Sequence, residues 1–266
     1  MYNVLADDRL TDANVVDTFK FNLEELWYSD FNYPDVTKVN QFLRKQTNLK
    51  KFTGELGSGS VGVLLNELPN LKYVDLQTDV NELKIYRMNL NIIKLTTNRV
   101  DLLQYLPNLK FLTIPVSQLM KLNEILTAAK CYLQLKRLQI TSNENCDPAE
   151  ISVKIGNIKN IKICVTFNVC HNKTWLPFIS SNDHIEELVF HCQIGNDELI
   201  TILKTCKNLK SLDLAKSYKD NLTNLAEIIN EFGSELEYLK ITNSKTLIED
   251  CKNIQSTKLK IWYKLN

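Results

Sequence analysis

The sequence predicts an α/β solenoid: short strand-plus-helix units stacked side by side, with parallel strands on a concave face and helices and loops on a convex one. Two observations carry this reading. An apolar rhythm (apolar, two others, apolar, one other, apolar) recurs eleven times along the chain, starting at positions 23, 49, 71, 90, 109, 135, 161, 185, 209, 236 and 259. Between the copies lie stretches with apolar residues at three- and four-residue steps, the period of a helix that buries one face. A single triplet is cheap in a chain that is 44% hydrophobic, but eleven at separations of 19 to 27 residues are not.

The plainest strand segments are LNIIKLTTN from Leu90 and LKRLQITSN from Leu135. LKYVDLQTD from Leu71, LKFLTIPVS from Leu109, LKSLDLAKS from Leu209 and LEYLKITNS from Leu236 follow the same rhythm. Weaker copies begin at Leu23, Leu49, Ile161, Ile185 and Leu259. Helices are expected over 196–206, where Leu199, Ile202, Leu203 and Cys206 share a face, over NLTNLAEIINEF from Asn221, and over SQLMKLNEILTAAKCY from Ser117. The two short units between 71 and 109 leave room only for loops or single 3₁₀ turns. A lone strand–helix unit cannot bury its own apolar faces, so units share one core by stacking. The expectation is a single domain over 1–266 of about eleven irregular repeats.

This pattern resembles the leucine-rich-repeat family over nearly the whole chain. The resemblance implies a curved horseshoe in which the leucines point inward and an Asn after each strand bonds the following turn; Asn98, Asn143 and Asn243 fill that place here. The segment GNDELITILKTCKNLKSLDLAKS, with Cys206, Leu209, Leu212 and Leu214 in order, is similar to the repeats of F-box/leucine-rich-repeat proteins. There the repeats hold a substrate while a separate F-box docks on a ubiquitin-ligase adaptor. No F-box is legible in these residues, so the resemblance implies the substrate-recognition half, with a ligase complex reached through a region not recognised.

Composition narrows the functional classes. Lys plus Arg number 32 against 31 Asp plus Glu, which gives no general attraction to nucleic acid or to an anionic membrane. No apolar run approaches the ~18 residues of a membrane span, and the N-terminal residues lack the form of a secretory signal. Seven unevenly spaced cysteines with no C-x-x-C pair read as reduced thiols of a cytoplasmic or nuclear protein.

Catalytic signatures are missing from the sequence. His171, His184 and His191 have no metal-ligand spacing, and no Walker A, G-x-S-x-G or dinucleotide motif occurs. A nucleophile pair among Cys170, His171, His191 and Cys192 is conceivable, but structural roles suit these residues better. The glycine-rich GELGSGSVG, Gly54 to Gly62, lacks the Lys of a phosphate loop and reads as a flexible inter-repeat loop or an engineered linker. No enzyme activity, cofactor or metal is expected.

The strand rhythm places partner contacts instead. Side chains alternate along a strand, so residues between the later apolar positions face outward. That rule nominates Trp27, Tyr73, Asp75, Lys94, Phe111, Arg137, Phe167, His191, Asp213, Tyr238, Lys240 and Tyr263, together with Ile92, Ile163 and Val165. Exposed aromatics and Arg are the usual anchors of protein interfaces. The expected function is a non-catalytic protein-binding module, with a structural or regulatory scaffold unrelated to ubiquitin ligation as the alternative.

Overall fold

The computed structural model describes residues 4–6, 23–28, 36–77, 85, 88–118, 121–122, 124, 135–142, 162–167, 175–191, 194–214, 222–242 and 244–264. Two compact units emerge, residues 1–114 with 124–136 and residues 115–123 with 137–266. Each is described by itself.

In the first unit, strands β1 (Val4–Ala6), β2 (Glu25–Tyr28), β3 (Lys51–Glu55), β4 (Tyr73–Gln77), β5 (Lys94–Thr97) and β6 (Phe111–Pro115) lie side by side in chain order, all parallel. Helix α1 (Val36–Lys45) joins β2 to β3, and α2 (Ser58–Glu67) joins β3 to β4. A 3₁₀ helix, Val100–Tyr105, joins β5 to β6, as the short spacing there predicts. The second unit continues the plan with β7 (Arg137–Ser142), β8 (Lys162–Phe167), β9 (Glu187–Phe190), β10 (Ser211–Leu214), β11 (Tyr238–Thr242) and β12 (Lys260–Lys264), again parallel and consecutive. Its outer layer holds α3 (Trp175–Ser181), α4 (Asn196–Thr205), α5 (Leu225–Phe232) and α6 (Lys245–Asp250). Both units are α/β solenoids, with parallel strands on one face and helices or loops on the other. All eleven rhythmic segments coincide with strands, β2 to β12, and β1 is an addition that the rhythm did not mark.

One connection recurs in both units. The carbonyl just before a strand accepts two N–H groups from the next repeat: Glu24 O from Lys50 and Lys51, Lys50 O from Lys72 and Tyr73, Glu186 O from Lys210 and Ser211, Lys210 O from Glu237 and Tyr238. The turn ahead of each strand closes by a three-residue bond, as in Leu49 N to Gln46 O, Leu209 N to Cys206 O and Leu236 N to Gly233 O. Cys206 therefore shares its site with Gln46, Asn182 and Gly233, all buried, so the cysteine is one of several fillers of a common position.

The core is a stack of aliphatic rows. Leu26, Phe52, Val74, Leu95 and Leu112 form one row in the first unit, and Leu188, Leu212 and Leu239 one in the second, each at most 2% exposed. Each such side chain contributes about 1.5–3 kcal/mol by leaving water. Helix α4 buries Leu199, Ile202 and Leu203 beneath it, and Glu198 Oε2 accepts the Gly195 N–H at 3.0 Å to hold its first turn.

Two expectations need correction. In β5 the inward rhythm starts at Ile92, which is fully buried, while Leu90 is 59% exposed; Ile92 is thus a core residue. The Gly54–Gly62 segment is neither loop nor linker. It ends β3 and begins α2, whose Val61, Val63, Leu64 and Leu65 are buried. A set of asparagines ahead of the strands also joins repeats: Asn70 Nδ2 donates to Thr47 O at 2.9 Å, Asn91 to Pro69 O at 2.7 Å and Asn108 to Leu90 O at 2.8 Å. Each rung ties one repeat to its predecessor. Asn143 and Asn243 lie outside the described residues. Asn91→Ala should cost about 1 kcal/mol, measured as a lower urea midpoint with unchanged slope. A variant as stable as the parent would show that the rung contributes nothing.

Candidate functional site

On the open face of the first unit, side chains stand in rows set by strand register. One row runs Glu25, Lys51, Tyr73, Lys94 and Phe111; the next runs Trp27, Thr53, Asp75, Thr96 and Thr113. Trp27 is 47% exposed, Tyr73 41% and Phe111 38%, where the alternating partners on the inner face are buried. The acids of β2 are met by lysines of β3: Lys50 lies 2.8 Å from Glu24, and Lys51 lies 3.3 Å from Glu25 and 5.9 Å from the Trp27 ring centroid. The Lys50 ammonium holds the Glu24 carboxyl below the usual range.

That neutralisation stops at β4. Among the described residues, Asp75 and Lys94 make no ion pair within 4.0 Å. Burial pushes the Asp75 carboxyl pKa up, with Lys94 and then Lys51 opposing the shift from farther off. Around these groups opens a cleft of about 420 Å³, lined by Glu24, Glu25, Lys50, Lys51, Thr53, Tyr73, Asp75, Lys94 and Thr96 among others.

The open face of the second unit is more fully paired. Arg137 and Lys162 both reach Glu187 Oε2 at 3.1 Å, as ion pairs rather than aligned hydrogen bonds. Lys240 Nζ lies 2.6 Å from Asp213 Oδ2 and 5.6 Å from the Trp262 ring, and Lys260 stands 5.5 Å from the Tyr238 ring. Tyr238 is 48% exposed and Trp262 55%. His191 follows β9, half-buried.

Register places four nominated residues of this unit on the core parity. Ile163 and Val165 pair with core Leu138 and Ile140, and Val165 is 1% exposed, so Lys162, Cys164 and Thr166 hold the open-face positions of β8. Phe167 consequently stands in register with buried Phe190, on the core parity; its side chain is outside the described set. In β12, Tyr263 pairs with core Ile241 and is nonetheless 58% exposed, whereas Trp262 takes the open-face position beside Lys240. The alternation of Lys260, Trp262 and Lys264 was the signal that marks that parity. The nucleophile candidates Cys170, His171 and Cys192 lie outside the described residues.

No protein-family model matches the chain, and no curated protein matches it. Solved structures do. A Bacteroides fragilis protein, known as a crystal structure from a structural-genomics programme, aligns at a TM-score of 0.51 and 12% identity, over 80% of this chain and 70% of its own. The likeness is one of fold. The yeast Rad7–Elc1 complex gives 0.37 at 14% identity, over 95% of this chain and 85% of that one. The TLR13–ssRNA13 complex gives 0.46 at 16%, over 91% of this chain and 36% of that one.

The chemistry on view is that of contact. Among the described residues no cluster of His, Cys, Asp or Glu is arranged to hold a metal ion, and no helix is long and apolar enough to cross a membrane. Burial pushes the Cys206 and Cys251 thiols up to about 12 and raises that of Cys164, which keeps them protonated and poor nucleophiles.

Proposed function

We propose that the chain is a non-catalytic binding module that holds a protein partner on the open strand faces of its units. The observation that carries this reading is the exposure of large aromatics at open-face register positions: Trp27, Tyr73 and Phe111 in one unit, Tyr238 and Trp262 in the other. Exposed rings with polar and ionic surroundings are the anchors that interfaces use. Asp75 and Lys94 in the first unit, with Arg137, His191, Asp213 and Lys240 in the second, supply the polar frame. Trp262 replaces Tyr263 and Phe167 in the contact set. A near-neutral chain favours a protein over nucleic acid or a membrane.

The test is quantitative affinity purification with the intact chain and with Trp27, Tyr73, Phe111 and Tyr238 changed to Ser. Partners should be retained by the parent and reduced at least about tenfold by the variant, a loss of about 1.4 kcal/mol, while circular dichroism stays unchanged. Equal recovery by a folded variant would move the binding surface to the helices and loops. The narrower reading, the substrate-holding part of an F-box-type ubiquitin-ligase receptor, rests on the resemblance at 195–217 and requires a cullin adaptor among the recovered proteins. Recovery without any adaptor favours a scaffold unrelated to ubiquitin ligation.

A further inference from the structure

Among the described residues, Asp75 and Lys94 form no ion pair, unlike three acid–lysine neighbours of the open faces. Glu24 with Lys50, Glu25 with Lys51 and Asp213 with Lys240 all close to between 2.6 and 3.3 Å across adjacent strands. Asp75 and Lys94 sit on adjacent strands too, but their register is diagonal: Lys94 pairs with Tyr73, and Asp75 with Thr96. Lys94 stands in register between two ring-bearing residues, Tyr73 on β4 and Phe111 on β6, both exposed. Those two rings are two strand spacings apart, roughly 10 Å, wide enough to admit one side chain above Lys94.

We propose that this part of the face takes a partner segment in which a carboxylate side chain adjoins a large apolar one, the carboxylate on Lys94 and the apolar group between Tyr73 and Phe111. The inference rests on the protein-binding reading and deepens it by naming the chemistry of the segment. Asp75 supplies the second half of the recognition. Half-buried and without a partner among the described residues, its carboxylate is available to accept a hydrogen bond, which an extended peptide offers from its main-chain N–H. Thr53 and Thr96 flank Asp75 in the same row and add hydroxyls that either donate or accept.

Charge decides between classes of macromolecule. The cleft counts Glu24, Glu25 and Asp75 against Lys50, Lys51 and Lys94, three of each, so its sum is zero. A nucleic-acid strand, carrying a charge on every unit, would bring phosphates over Asp75 and gain one free lysine. A protein segment with one carboxylate uses Lys94 and avoids that repulsion.

The probe is a displayed library of random peptides of about twelve residues, panned on the intact chain, with binding of the recovered peptides read by fluorescence anisotropy. The parent should select Asp or Glu next to a large apolar residue. Lys94→Glu should bind those peptides at least about tenfold more weakly and, panned afresh, select Lys or Arg at the same place. Tyr73→Ser should weaken the same peptides, and Lys207→Glu, an equal charge change in an exposed turn of the other unit, should not. Selection without a carboxylate preference, failure to select at all, or recovered peptides that bind Lys94→Glu as they bind the parent would each overturn the proposal. So would oligodeoxythymidine binding that Lys94→Glu abolishes. If the aromatic variant loses its cellular partners while Lys94→Glu keeps them, the binding function stands and only this assignment falls.

Discussion

Gly54→Ala should leave the first unit more than about 4 kcal/mol less stable, the size of effect that only a backbone or core fault produces. Gly54 has φ +148°, a conformation that side-chain-bearing residues rarely adopt, and a Cβ there would lie 1.6 Å from the Tyr28 carbonyl oxygen. That oxygen belongs to the neighbouring strand, since Tyr28 and Gly54 are register partners in the β2–β3 pair. No side-chain rotation relieves a clash between two main chains, so the strands must separate or shift. Gly57→Ala is the control. It lies three residues on, has φ −64°, and a Cβ there meets nothing within 4 Å. Denaturation followed by circular dichroism should show a large loss for Gly54→Ala and almost none for Gly57→Ala. Equal effects would mean that the close approach of β2 to β3 is not what the glycine permits.

Phe190→Ala should cost the second unit about 3–5 kcal/mol through lost transfer energy and the cavity left behind. The ring is fully buried at the end of β9, one residue from the half-buried Val189 on the opposite face. Val189→Ala should cost under about 1.5 kcal/mol. Because stability in a repeat stack comes from nearest-neighbour contacts, the Phe190 loss should appear as reduced amide protection in β8, β9 and β10. Comparable costs for the two variants would place β9 one residue out of register.

The strands were legible wherever apolar and polar residues alternate cleanly. Leu209, Leu212 and Leu214, with Ser211 and Asp213 between them, leave one parity available, and the structure adopts it. Three segments carry apolar residues at consecutive positions: Ile92–Ile93, Ile163–Val165 and Ile261–Tyr263. There the local pattern fits both parities, and pairing with the adjacent strand decides. That is why Phe167 and Tyr263 were assigned the other parity, although Tyr263 is 58% exposed, and why Trp262 was missed. These rungs were available in the sequence as Asn70-Leu71-Lys72, Asn91-Ile92-Ile93 and Asn108-Leu109-Lys110, but the family pattern directs attention to the other end of the strand. Composition misled at 54–62, where small residues serve a close strand approach and a helix buried along much of its length, not a loop. The unpaired state of Lys94 was beyond sequence reading, since it depends on whether a diagonal pair closes.

The carbonyls shared ahead of strands in both units, and the asparagine rungs of the first, have a consequence for how such a chain can change over time. Both fastenings lie at the mouth of the strand, and neither reaches the outer segment. Adjacent repeats therefore keep step whether the outer path is short or long. It is 17 residues from Ile92 to Leu109 (109 − 92) and 27 from Leu209 to Leu236 (236 − 209). Insertions and losses on the outer side can accumulate without disturbing the inner rows, while a single residue added inside a strand would exchange its two faces. The molecule thus separates what is free to drift in length from what must hold phase, and its open-face residues belong to the second kind.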